Sequence, residues 1–263
     1  MNTTTDPHPD RPSDVARAIA AIDDDTPIVA GAAPLSEAEI DRLREELYRL
    51  VSDTRPTVAV EPIIHIQSRT RVGGEALARF PGSASTHEWF RTADALGLKT
   101  ELEMRIIEEV VRNSQTGRGF ISVNVSPDTL LDPRCLPLLK SADGAELVVE
   151  MTDHESVPSL SLLRPHLDAI RDAGVRVAVH VSSFGTDITR LLMLTNPDVV
   201  KLDPPLSASI VAGGQQHASA RNFFSYCRRH GVFIVAVGVG DGDLPALHDA
   251  GADAVQGRQL SLG

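Results

Sequence analysis

Lys201 closes the apolar run Val199-Val200, and Asp203 follows two residues later. A lysine at the end of such a run is costly to bury unless it is paired or functional. Its structural alternative is a bridge to Asp198 or Asp203. Asn124 and Glu150 each follow apolar, β-branched residues, and their oxygens are the donors a hard cation takes. Their alternative is hydrogen bonding to nearby loop backbone. With Glu75, Arg79 and Gln256 they form a candidate ring of polar residues at the ends of elements.

The elements that would position this ring alternate. Short β-branched runs read as strands at Thr57 to Ile66, Phe120 to Val125, Glu146 to Met151, Val175 to Val181, Asp198 to Leu202, Val232 to Val239 and Ala252 to Gln256. Helical patterns lie between them, at Glu88 to Leu96, Glu101 to Asn113, Leu160 to Ala173, Ser219 to Arg229 and Asp243 to Ala250. Runs such as VRVAVHV and GVFIVAV are apolar almost throughout, as parallel strands buried on both faces are. That many β/α units over about 200 residues predict a closed (β/α) barrel, whose chemistry sits at the C-terminal ends of the strands. Ahead of them, SEAEIDRLREELYRLVS carries a capping-box start at Ser36 and Glu39 and an apolar stripe of Ile40, Leu43, Leu47 and Leu50. It predicts an amphipathic helix that docks on the barrel or on a second subunit. Residues 1–12 hold three prolines and little apolar surface, which predicts a flexible tail.

Composition narrows the function classes. The chain has 263 residues, 42% hydrophobic and 23% charged, with 25 Lys and Arg against 36 Asp and Glu and a net charge of −11. Such an excess of acid repels a polymeric phosphate backbone, so no nucleic acid polymer is expected as a partner. The two cysteines, Cys135 and Cys227, are far apart and fit neither a zinc motif nor a disulfide framework. A reducing, cytoplasmic setting is expected. No apolar run is long enough to predict membrane insertion or export.

The residues also resemble a family. Glu61-Pro-Ile-Ile and then Gly74-Glu75-Ala76-Leu77-Ala78-Arg79-Phe80 resemble the opening of EAL domains, bacterial cyclic-di-GMP phosphodiesterases named for that Glu-Ala-Leu. The similarity continues in order through Trp89-Phe90, Ser122-Val-Asn124-Val-Ser-Pro, Val149-Glu150-Met-Thr, Ala173-Gly-Val-Arg-Val, Pro197-Asp-Val-Val-Lys201-Leu-Asp203 and Gln256-Gly257, covering about residues 57–263. It implies a modified (β/α)8 TIM-like barrel of mixed α/β class over 57–263, and composition and periodicity place a largely flexible tail over 1–35 and the amphipathic helix with its linker over 36–56 ahead of it. The family hydrolyses one phosphodiester of cyclic di-GMP with a Mg or Mn pair. By its motifs Glu75, Asn124 and Glu150 match metal ligands, Lys201 the lysine at the catalytic water, and Arg79 the arginine on the dinucleotide phosphate. Leu77, Gln256 and Asp203 join Arg79 as ligand-binding positions.

The departures are acidic. The family's Asp-Asp pair falls on His180 and Val181 when spacing is kept ungapped from Arg176 to Lys201. Matching Phe184-Gly185 instead puts it on Ser182 and Ser183. The ungapped register is preferred because Asp198 and Lys201 then keep their family distance. The later Ala-Glu-Gly-Val-Glu reads Ala236-Val237-Gly238-Val239-Gly240, so Val237 and Gly240 replace two carboxylates, and Glu61 stands where Gln is usual. With so few carboxylates left, two cations would be under-neutralised. The reading that follows is a catalytically degenerate regulatory domain, not an enzyme. It acts through a protein partner or homodimer, or by binding cyclic di-GMP without hydrolysis. No cofactor is required in this reading, although weak Mg or Mn is allowed. The alternative is a weak metal-dependent cyclic-di-GMP phosphodiesterase.

Overall fold

Strand β1 (Thr57–His65) runs antiparallel to β2 (Arg71–Arg79), and from there the sheet continues through β3 (Phe120–Asn124), β4 (Leu147–Met151), β5 (Arg176–Val181), β6 (Val199–Leu202), β7 (Phe233–Val237) and β8 (Ala254–Gln256). In the computed structural model β8 pairs back onto β1 and closes an eight-stranded barrel. The structure describes residues 36–114, 119–142, 146–151, 160–184, 186–257 and 260. The tail predicted over 1–35 lies outside them.

The chain divides into two compact units. One takes the described residues up to Thr54 together with Phe80–Leu102. It holds α1 (Glu37–Ser52) and α2 (Thr86–Ala95), which contact each other. Helix α1 starts where the spacing predicts. Ser36 Oγ accepts from Glu39 N at 3.4 Å, and Ser36 N donates to Glu39 Oε2 at 2.9 Å. Its stripe of Leu43, Leu47 and Leu50 is buried, and Phe80 stacks on the fully buried Trp89 at 4.8 Å between ring centroids.

The other unit is the barrel, Arg55–Arg79 with Glu103–Gly263. Strands β2 to β8 are parallel. Six helices intervene where connections are described: α4 (Pro127–Leu131), α5 (Cys135–Lys140), α6 (Leu160–Asp172), α7 (Thr186–Thr195), α8 (Pro204–Val211) and α9 (Gly214–Arg229), with α10 (Leu244–Ala250) before β8. Helix α3 (Lys99–Asn113) precedes β3. One residue from nearly every strand builds an apolar floor: Ile63, Phe120, Val148, Ala178, Val199, Val235 and Ala254. Side chains two residues along a strand share a face, so the next layer up is fixed by this one.

Two features were not legible as strands of a parallel barrel. Strand β1 is antiparallel to both its neighbours, so the sheet is mixed. Strand β2, RVGGEALAR, has two glycines and helix-favouring Ala, Glu and Leu instead of a β-branched run. The glycines serve close approach: a Cβ on Gly73 would meet the Phe120 ring at 2.7 Å, and one on Gly74 would meet Val60 Cγ1 at 2.4 Å. Tertiary contact therefore overrides local propensity on the strand that carries Glu75.

Candidate functional site

Two residues above the floor, the strands present Glu75, Ser122, Glu150, His180, Lys201, Val237 and Gln256. Antiparallel β1 adds Glu61, whose Cα pairs with that of Glu75. A layer that is polar on every strand but β7, where Val237 stands, thus lies directly above an apolar one.

Lys201 is its centre. Nζ donates to Glu75 Oε2 at 2.7 Å and to the Glu150 carboxylate at 2.9 Å. Lys201 is 1% exposed and Glu150 is 0% exposed, so these charges have left water and depend on each other. Burial alone would lower the Lys201 ammonium, but the Glu150 and Glu75 carboxylates outweigh it and raise the group above its ordinary value. Burial alone would raise Glu150, but the charge of Lys201 and the hydrogen bond from His180 hold it at about 2. The bridges to Asp198 or Asp203 considered for this lysine are not its bonds. Asp198 Oδ2 instead accepts from Val177 N at 2.8 Å.

The remaining partners complete the ring. His180 Nε2 is hydrogen-bonded to Glu150 Oε1. Asn124 Nδ2 donates to Glu75 Oε1 at 2.8 Å, and Gln256 Nε2 donates to Glu75 Oε2 at 2.8 Å. Gln256 Oε1 and Ser122 Oγ are buried and have no hydrogen-bond partner among the described residues. Of the residues implied by resemblance, Glu75, Asn124, Glu150, Lys201 and Gln256 therefore meet in one hydrogen-bonded cluster.

Others stand apart from it. Arg79 ends β2, and its Nη1 donates to the carbonyls of Leu77 and Ala78 on its own strand, at 3.4 and 3.2 Å. Leu77 lies on the same face of β2 as Glu75, one layer higher. Asp203 caps α8, accepting from Leu206 N at 2.9 Å. Val181 is buried, Val237 pairs with Gln256 across β7 and β8, and Gly240 N donates to Asp243 Oδ2 at 2.9 Å. His180 is the residue whose place the sequence did not disclose: it reads as a lost carboxylate, yet it bonds Glu150. The signal was available in β5, where Ala178 and His180 share a face and Ala178 belongs to the floor.

The donor set can be weighed against a cation. The carboxylates of Glu75 and Glu150 and the amide oxygens of Asn124 and Gln256 are hard donors of the kind Mg and Mn take. Among the described residues no three His, Cys, Asp or Glu side chains gather as a metal-holding group. Within the hydrogen-bonded cluster, Glu75 and Glu150 facing the Lys201 ammonium leave a single net negative charge, and Glu61 adds one more carboxylate to the layer. Those two net negative charges match one hard cation aided by amide oxygens and fall short of the four positive charges of a pair. Thiol chemistry has no support, because burial pushes both Cys135 and Cys227 up to about 12.

Similarity to known proteins agrees with this architecture. Residues 44–262 match the EAL domain family. The chain is 26% identical over 204 residues to an Escherichia coli protein named "Probable cyclic di-GMP phosphodiesterase PdeI", covering 70% of this chain and 26% of that one, so it spans about a quarter of that relative's length. The Xanthomonas citri FimX EAL domain, solved in complex with cyclic di-GMP, superposes with a TM-score of 0.73 at 19% identity over 84% of this chain and 92% of that one. Klebsiella pneumoniae BlrP1, solved as a manganese and cyclic di-GMP complex, gives 0.67 at 23% identity over 78% and 55%.

These matches correct two expectations. The reading of the chain as a non-enzyme is overturned, since the relative it matches is itself named a phosphodiesterase. That reading gave the missing Asp-Asp pair more weight than the acids, amides and lysine that still converge. The expectation that no cofactor is required is unsupported beside a neighbour solved with manganese, while weak metal binding is allowed. Among the described residues no helix is long and apolar enough to cross a membrane. A family match over most of the sequence, on a closed barrel with this polar ring in its interior, makes the chain a member of the EAL domain family.

Proposed function

We propose that this barrel binds cyclic di-GMP at the mouth above the Glu75 ring and hydrolyses it slowly, as a metal-dependent phosphodiesterase working with one Mg or Mn. The observation that carries the reading is the convergence of Glu75 and Glu150 on Lys201 within hydrogen-bond distance, flanked by Asn124 and Gln256. Glu75, Glu150 and the amide oxygen of Asn124 would hold the cation. When bound, it would supply a Lewis acid for the phosphoryl oxygen and an acidified water.

The chain's own groups have separable roles. Lys201 is held protonated by two carboxylates, so it supplies positive charge where phosphoryl oxygens gather negative charge and does not serve as a base. His180 fixes the orientation of Glu150. Arg79, at the rim and bonded among the described residues to backbone carbonyls, can turn toward a phosphate. Val237 and Gly240, in place of acids, leave less negative charge for a second cation, which is why turnover is expected to be slow.

The test is to incubate the whole chain with cyclic di-GMP across a Mn titration and to quantify linear dinucleotide. Release that rises with Mn along a single-site curve supports the proposal. Release indistinguishable from heat-inactivated protein at every Mn concentration refutes it.

A further inference from the structure

At the other end of the barrel, α10 and its connection to β8, the end of β1 and one face of α9 border an open cleft of about 590 Å³. Its position follows from register. His65 pairs with Ala254, and Ala254 lies in the apolar floor, which separates the cleft from the Glu75 ring. Its walls carry Arg221, Arg228, His65, His248, Asp249 and Asp253. None of these takes part in the mouth described above.

Arg228 is set into this basin by its neighbour. Gly251 ends α10 in the left-handed region at φ 104°, and a Cβ there would lie 2.6 Å from Arg228 Nη2. The missing side chain lets the guanidinium lie across the loop, where Nη2 donates to Gly251 O at 3.2 Å. That uses one of the five N–H donors of an arginine. Asp253 Oδ2 accepts from Ile234 N at 2.9 Å, and Asp249 Oδ2 accepts from Arg221 at 3.0 Å. Gln67 Nε2 and His248 Nε2 lie 2.9 Å apart.

We propose that this basin is a second ligand site, for a sugar phosphate or the sugar-phosphate part of a nucleotide, with Arg228 as the phosphate anchor. The volume falls within the range of small-molecule sites, roughly 300 to 1,000 Å³, and exceeds what a bare anion fills. Guanidinium and imidazole donors suit a phosphate, while the carboxylates of Asp249 and Asp253 suit hydroxyl donors. Among the described residues no Phe, Tyr or Trp lines the basin, and His248 is already engaged with Gln67, so the sugar is the part recognised beside the phosphate. The inference does not depend on hydrolysis at the mouth.

The experiment is calorimetric titration of the whole chain with ribose 5-phosphate, 5′-GMP and inorganic phosphate, repeated with saturating cyclic di-GMP. Ribose 5-phosphate is expected to saturate with Kd on the order of 1 mM, as a small ligand with few polar contacts does. Arg228→Gln should weaken it at least tenfold, with cyclic di-GMP turnover unchanged. Should that variant fail to fold, Ser225→Trp, which fills the basin, should abolish binding. Binding of 5′-GMP equal to or tighter than that of ribose 5-phosphate would identify a nucleotide as the source, and weaker binding a free phosphosugar. Absence of saturation, binding unchanged in both variants, displacement by cyclic di-GMP, or inorganic phosphate binding as tightly as the ester would each overturn the proposal.

Discussion

Lys201 Nζ lies 2.7 Å from Glu75 Oε2, although 126 residues separate them in the chain. The contact joins β6 to β2 across the barrel interior, where neither strand is the other's neighbour. One ammonium is thereby shared between two carboxylates from different strands, so the stability of the barrel and the chemistry proposed for its mouth would rest on the same atoms.

Removing Lys201 leaves Glu75 and Glu150 facing each other without a counter-charge. Lys201→Met should destabilise the protein by about 3 to 5 kcal/mol, the cost typical of breaking a buried pair on one side. Chemical denaturation at pH 7 measures it. A loss below about 1 kcal/mol would mean that the carboxylates are neutralised by something else.

The Glu150 carboxyl is held at about 2, below its ordinary 4.5. A carboxylate depressed by folding adds stability that is fully present above the unfolded value and is lost as pH falls through the folded one. Stability should therefore fall between about pH 4.5 and pH 2, by on the order of 3 kcal/mol from this group. Glu150→Gln should flatten that limb of the profile. An unchanged acid limb in the variant would assign the loss to other carboxylates.

Arg79 separates affinity from stability. Among the described residues it donates to carbonyls of its own strand, and it is exposed at the end of β2, so Arg79→Ala should shift stability by less than about 0.5 kcal/mol, as surface substitutions do. If the mouth receives the dinucleotide, the same change should weaken cyclic di-GMP by about 30- to 1000-fold at fixed salt. Calorimetry and a thermal melt on this one variant read both quantities. Wild-type binding that survives the substitution intact would remove Arg79 from the phosphate site.

Gly73→Ala should cost about 1 to 3 kcal/mol, since its Cβ would press on the Phe120 ring of the apolar floor at 2.7 Å. Urea denaturation of the variant checks it, and a neutral result would mean that the floor can shift to make room.

The fold was largely legible because its signals are local. The capping box at Ser36 and Glu39 and the apolar runs of β3 to β8 are written in consecutive residues. Strand β2 was hidden because Gly73 and Gly74 answer to Phe120 and Val60, residues distant in sequence. The site divides the same way. Glu75, Asn124, Glu150 and Lys201 stood out through motif and type, whereas the bond between His180 and Glu150 depends on two strands brought into register. Arg79 and Asp203 show the converse, since a motif position does not say which partner a side chain takes once folded.

The central claim is that Glu75 and Glu150 hold the cation with which this mouth cleaves cyclic di-GMP. Linear dinucleotide released in excess Mn by the wild type and by Glu75→Gln, each first shown to be folded, tests it most directly. The account predicts slow release by the wild type that falls at least 100-fold in the variant. Equal release by the two proteins, or none by the wild type, would contradict it.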